Sequence, residues 1–170
     1  MNIIIRPPVM ADASEMNAIR RMDGVKENTM GIASEPMTRS EAFIKNQDKD
    51  AHVLVAEVDG KVVGIAGLHH NNRPRKRHTA MIGISVHTEY QGKGIGTKLM
   101  EALLDIADNW LMLLRVELTV LEGNDHAKKL YERLGFEVEG IQRMSVTKNG
   151  HYVDEIAMAR IRIPEQFKNM

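Results

Sequence analysis

The apolar positions change period several times along the chain, and each change marks an element. Asn2-Ile3-Ile4-Ile5-Arg6 reads as a short strand stopped by Pro7-Pro8. Met16, Ile19 and Met22 then recur at helical spacing behind Asp12 or Ser14, either of which can cap a helix. Residues 24–36 keep no regular period. Thr38-Arg39-Ser40-Glu41 has the form of a capping box, so a second helix is expected from there to about Lys49. His52 to Val58 and Lys61 to His69 read as two strands, with Asp59-Gly60 between them as a type I′ turn signal. Residues 71–77 are a polar, basic connection. Thr79 to Val86 is apolar on both faces, as a central strand should be.

Beyond it, Ile95, Leu99, Ala102, Leu103, Ile106 and Trp110 recur at spacings of three and four. That predicts one helix, Ile95 to Trp110, with a single buried stripe. Arg115 to Leu121 is a strand. Asn124 is suited to cap a shorter helix that carries Ala127, Leu130, Tyr131 and Leu134 on one face and stops at Gly135. Two last strands, 136–147 and 151–160, meet at Asn149-Gly150, a second hairpin signal. This order predicts an α+β fold with a central mixed sheet flanked by helices. A single domain over 1–163 with a C-terminal tail over 164–170 is expected, since no linker, repeat or low-complexity stretch interrupts the pattern.

Composition narrows the chemistry. The chain has 170 residues, no cysteine, and 23 basic against 23 acidic residues. A cysteine nucleophile, a disulfide scaffold and a Cys-ligated zinc are excluded. The balanced charge disfavours a dedicated nucleic-acid binder. The basic run Arg73 to Arg77 has no aromatic residue among it for base stacking and reads as a solvated tip or a partner contact. The N-terminal apolar run is too short for a signal peptide, and no segment nears the ~18 apolar residues of a membrane span. A cytoplasmic protein is expected. His69 and His70 point to opposite faces of a strand, so they do not readily share an ion with His78 or His87, and no metal is expected. Met16, Met22, Met30 and Met37 crowd the N-terminal region, either as core filling or as the lining of an adaptable pocket.

The stretch between the central strand and the long helix carries Gly92, Gly94 and Gly96 at alternate positions. A Walker A loop and the dinucleotide fingerprint both require other spacings. Glycines there let backbone amides approach a ligand, and a helix N-terminus carries roughly half a positive charge. A phosphate or pyrophosphate is the natural occupant.

Gln91-Gly92-Lys93-Gly94-Ile95-Gly96 resembles the Q/R-x-x-G-x-G/A motif of the GNAT superfamily of N-acetyltransferases, and Asn124 to Phe136 resembles that family's N-x-x-A-x-x-L-Y-x-x-x-G-F pattern. "ELTV", "LYERLGFEVEG" and "NGHYVDEIAMAR" look most like bacterial members that acetylate small amines such as amino acids. The resemblance implies the GNAT-type acyl-CoA N-acyltransferase fold and acetyl-CoA as cosubstrate. It implies that Gln91, Gly92, Lys93, Gly94, Ile95, Gly96 and Thr97 hold the pyrophosphate. It implies that backbone at Ser85, Val86 and His87, with Asn124 and Ala127, lies along the pantetheine arm, and that Tyr131 protonates the leaving thiolate. Lys93, Lys98, Lys128 and Lys129 could reach the adenosine phosphates.

A base for the acceptor amine is less clearly marked. Glu117 sits between Val116 and Leu118 and so points to the opposite face, where it could accept a proton. It could equally be a strand glutamate paired with a basic residue; Glu35 and His78 are alternatives. The expected reaction is direct acetyl transfer to a primary amine of a small molecule, such as an amino acid. Its rivals are acetylation of a protein N-terminus or lysine, and a sensor that binds acyl-CoA without catalysis. A homodimer is compatible with family habit and with the edge offered by the last hairpin.

Overall fold

The computed structural model describes residues 1–48 and 50–169. Seven strands form one mixed sheet: β1 (Ile4–Arg6), β2 (Ala51–Val58), β3 (Lys61–His70), β4 (Thr79–Val86), β5 (Arg115–Leu121), β6 (Glu137–Lys148) and β7 (His151–Ile161). Their order is β1-β2-β3-β4-β5-β7-β6. β4 therefore holds the centre, as its composition predicts. It runs parallel to β5, and their register covers only Thr79–Met81 against Arg115–Glu117. The pairs β1–β2, β5–β7 and β6–β7 are antiparallel. The helices are α1 (Ala13–Arg21), α2 (Met37–Lys45), α3 (Ile95–Asp105) and α4 (Asp125–Arg133).

The chain forms two compact units, Met1–Leu68 with Gly83–Leu103, and His69–Ile82 with Leu104–Met170. In the first, Met16 and Ile19 of α1 and Val25 cluster with Val53, Val55, Val62 and Ile65, while Met22, Phe43 and Ile44 pack at the margin. Gly64 on β3 lets α3 come close, because a Cβ there would lie 2.9 Å from both Ile95 and Leu99. Met30 and Met37 are 54% and 40% exposed, so only part of the methionine-rich region fills the core. In the second unit, Val116, Leu118 and Val120 of β5 are buried and alternate with Arg115, Glu117 and Thr119.

Both hairpin signals act as read. Asp59 and Gly60, and Asn149 and Gly150, take positive φ at the two turns. Three helix signals do not. The carboxylate of Asp12 makes no cap bond to α1. It is engaged instead by Arg6 Nη1 and Nη2 and by the amide of Val9. Nor is the Thr38–Glu41 capping box formed: α2 begins at Met37 behind Pro36, and no side chain caps it. That helix ends at Lys45; Lys49, its expected end, lies outside the described residues.

The third correction is Trp110. Regular α-helix stops at Asp105 and a wider π-helical turn follows over Ile106–Trp110, closed by Leu111 N donating to Ile106 O at 3.0 Å. One i→i+5 turn shifts the phase of the stripe. Ala107, one turn beyond Leu103, is still buried, whereas Trp110 is 77% exposed. The outer face of β4 is also more open than its apolar sequence implies: Met81 is 50% exposed, and a Cβ on Gly83 would meet no atom within 4 Å. The basic run forms a short 3-10 turn, Pro74–Lys76, with its side chains exposed.

Candidate functional site

The residues singled out in the sequence divide between the two units. Ser85, Val86, His87 and Gln91 to Thr97 lie in the first; Glu117, Asn124, Ala127 and Tyr131 lie in the second.

In the first unit, β4 runs out at Val86 and the chain is pinned at once. His87 N donates to Val63 O at 2.9 Å, and His87 Nδ1 accepts from the amide of Glu89 at 3.2 Å. A single 3-10 turn follows, Thr88–Tyr90. Gln91 then reaches back and donates its side-chain amide to Val86 O at 3.0 Å, which ties the loop to the strand end. Gly92 and Gly94 take φ of 72° and 85°, a region that costs other residues roughly 1–2 kcal/mol. A Cβ on either would meet nothing within 4 Å, so open space lies over both. Lys98 N donates to Gly94 O at 3.1 Å and closes the first turn of α3. The amides of Ile95, Gly96 and Thr97 precede that bond and have no partner along the helix. Lys93 stands 5.2 Å above the ring of Tyr90. This arrangement suits an anion: unpaired amides, a helix N-terminus and a lysine beside glycines that leave room.

In the second unit, Asn124 Oδ1 accepts from Ala127 N at 3.3 Å and caps α4. The other end of α4 closes on Tyr131. Phe136 N donates to Tyr131 O at 3.0 Å and Gly135 N donates to Glu132 O at 3.1 Å, with Gly135 at φ 89°. These two bonds are a Schellman motif, and they fix the backbone that carries the tyrosine. The Tyr131 side chain is buried, its ring 6.0 Å from that of Phe136, and burial pushes its phenol up to about 12. It is therefore fully protonated at neutral pH. Lys128 is paired with Glu132 on its own helix, 3.3 Å away.

Glu117 faces away from Val116 and Leu118, as the alternation requires. Arg115 Nε donates to its Oε2 at 2.8 Å, and the same guanidinium grips Glu139 with Nη1 and Nη2 at 2.7 and 2.5 Å. Both acids raise the Arg115 pKa, and Arg115 holds the Glu139 carboxyl below its usual range. Of the alternative bases, Glu35 is buried, and its Oε1 accepts from Arg20 and forms an ion pair with Arg39, while His78 is exposed. Sequence reasoning missed Glu155, a buried carboxylate on β7 that accepts from the hydroxyls of Thr119 and Ser145. Its only sequence signal is an acidic residue in phase with Ala157 and Ala159. Among the described residues, no group of three acidic or histidine side chains is arranged to hold a metal ion.

A model of the acetyltransferase (GNAT) family matches residues 22–136. An L-amino acid N-acetyltransferase of Escherichia coli strain K12 is 41% identical over 109 residues, which span 64% of this chain and 67% of that protein. A spermidine N(1)-acetyltransferase of the same organism is 33% identical over 126 residues, 69% of this chain and 67% of that protein. Among solved structures, an acetyltransferase of the GNAT family from Streptococcus pneumoniae superposes with a TM-score of 0.84 at 26% identity, covering 94% of this chain and 99% of that one.

Proposed function

We propose, because this chain belongs to the acetyltransferase (GNAT) family, that it is an N-acetyltransferase acting from acetyl-CoA directly on the primary amine of a small molecule, an amino acid being one such acceptor. The observation that carries the reading is the loop from Gln91 to Gly96, with its two left-handed glycines under open space at the head of α3. Acetyl-CoA supplies the acetyl group as an activated thioester. The amides of Gly92 to Thr97, with Lys93, suit its pyrophosphate.

The chain's own residues then have three tasks. The strand end at Ser85, Val86 and His87, fixed through Val63 and Gln91, offers backbone groups to the pantetheine arm. Glu117 takes the proton that the acceptor ammonium must lose before its nitrogen can attack, and Arg115 fixes the carboxylate for that purpose. Tyr131 gives its phenolic proton to the sulfur as the C–S bond breaks, and recovers one from solvent. A phenol at about 12 stays loaded at every working pH. The sum is a new amide, a free thiol and one proton released. Direct transfer suits a chain without cysteine.

The relatives named above, an amino-acid and a spermidine acetyltransferase, support a small amine as acceptor. A cytoplasmic setting and a homodimer belong to the same proposal, the second supported by the exposed Val138, Ile141 and Met144 of β6. The test is thiol release from acetyl-CoA with amino acids, polyamines, aminoglycosides and short peptides. Release with a small amine is expected. Release with peptides alone would move the reading to a protein acetyltransferase. Silence with acetyl-CoA still bound would move it to a sensor.

A further inference from the structure

The face of the sheet that carries Glu117 has a second carboxylate with a different character. In the antiparallel register, Glu117 lies opposite Ala159, Thr119 opposite Ala157, and Leu121 opposite Glu155. On the far side of β7, Gly140 of β6 stands opposite Ala157 and Gln142 opposite Glu155. Partners directly opposite one another share a face. Small residues therefore floor the centre of this face, and a Cβ added to Gly140 would meet nothing within 4 Å. Glu155 closes one end of that floor and Glu117 the other, four residues of β7 apart, or about 13 Å of strand.

The two acids are neutralised differently. Glu117 and Glu139 share the Arg115 guanidinium. Glu155 is 8% exposed, and its partners among the described residues are two neutral hydroxyls: Thr119 Oγ1 donates to Oε1 at 2.9 Å and Ser145 Oγ to Oε2 at 2.8 Å. Ser145 reaches it because β6 slips out of register between Gln142 and Val146. A buried carboxylate ordinarily has a cation beside it. Two hydroxyls orient this one and use about two of its four acceptor positions, leaving the others for a further donor.

We infer that Glu155 binds a second ammonium group of the acceptor, so that the enzyme prefers linear amines bearing two positive charges over otherwise equal amines bearing one. The inference rests on the acetyltransferase reading above. The acceptor's distal cation would sit at Glu155 while the reacting amine lies toward Glu117, and the small-residue floor between them accommodates an unbranched chain.

The test compares matched acceptors by thiol release: lysine against norleucine, and 1,6-diaminohexane against hexylamine. The wild-type chain is expected to favour the doubly charged member of each pair in kcat/KM by about ten- to a hundredfold, the worth of a charge-assisted hydrogen bond. Glu155→Gln keeps the shape, and both hydroxyls stay paired if one of them turns to accept from the new amide NH2. It is expected to abolish that preference by raising KM for the doubly charged acceptors, and to leave norleucine and hexylamine unaffected. Equal use of both members by the wild-type chain would overturn the inference, and needs no variant to fold. So would a Glu155→Gln protein that loses activity equally on both, which is what a purely structural role produces. In either case acetylation of the monoamines still stands for the wider reading, whereas no release with any amine would count against that reading instead.

Discussion

Arg115 Nε donates to Glu117 Oε2 over 2.8 Å, along a strand where the two side chains share one face. The same guanidinium clamps Glu139, so one cation anchors two acids. A carboxylate so fixed is well placed to take a proton from a neighbouring amine, and equally well placed to do nothing but brace the sheet. Glu117→Gln separates the two. As proton acceptor, its loss should lower kcat/KM about a hundredfold near neutral pH. The deficit should shrink as the pH rises through the acceptor's own pKa, since the amine then arrives neutral. A variant with unchanged rate at every pH would leave Glu117 a bracing residue.

Tyr131→Phe should reduce turnover by about a hundredfold or more while acetyl-CoA binds as before. It should also remove the most alkaline step from the titration of the chain's three tyrosines, because burial pushes the Tyr131 phenol up to about 12. The sign for stability follows. The folded phenol lies above its ordinary value of 10, so its contribution is complete below pH 10 and is lost as pH rises toward 12. Equal turnover in the two proteins would take Tyr131 out of the reaction.

Gly94→Val should raise KM for acetyl-CoA severalfold. A branched side chain at φ 85° strains the loop and fills the open space over it. Gly64→Val acts differently. Its side chain would press on Ile95 and Leu99 and cost about 1–3 kcal/mol of stability. Chemical unfolding against acetyl-CoA titration tells these apart, and the reverse pattern would refute both assignments.

Arg6 joins β1, β2 and the approach to α1 by donating to Asp12 and to Glu57. That guanidinium, helped by the Val9 amide, holds the Asp12 carboxyl below its usual range. The folded value lies below the unfolded one, so this stabilisation is complete above the ordinary carboxylate range and is lost as pH falls through the folded value. Arg6→Met should therefore move the acid-unfolding midpoint to higher pH. An unmoved midpoint would show the cluster to be neutral in the balance.

The sole tryptophan is a direct probe of the turn at the end of α3. At 77% exposure, Trp110 should emit as in water and be quenched readily by iodide. A shielded, blue-shifted emission would mean that α3 continues regularly and buries it.

Local signals were legible wherever a residue's own backbone preference decides the outcome. Asp59-Gly60, Asn149-Gly150, Asn124 and Gly135 each act in the structure as their chemistry suggests, whereas the equally local Thr38–Glu41 box does not form, because α2 has already begun at Met37. The spacing of Gly92 and Gly94 marks a loop that takes left-handed backbone under open space, as glycines there allow. What else escaped depends on distant partners. Asp12 has the identity of a helix cap, but Arg6 offers its carboxylate a stronger donor. Trp110 obeys the helical period until one wide turn rotates it outward. Glu155 acquires its character only from Thr119, 36 positions away, and from a slipped strand that delivers Ser145. Neither relation leaves a mark on the sequence near Glu155.

The slips in β6 bear on a different matter as well. β6 ends the sheet, and most of its side chains are exposed. A flat, regular border of this length would be a template on which another chain could add itself strand by strand. Here the register breaks twice, after Val138 and after Gln142; Met144 turns to φ 52°, and its amide is taken by Asp154 Oδ1. A second chain could match this rim for only a few residues before losing step. The same irregularity that carries Ser145 to Glu155 thus makes the rim of the sheet a poor template for open-ended strand addition.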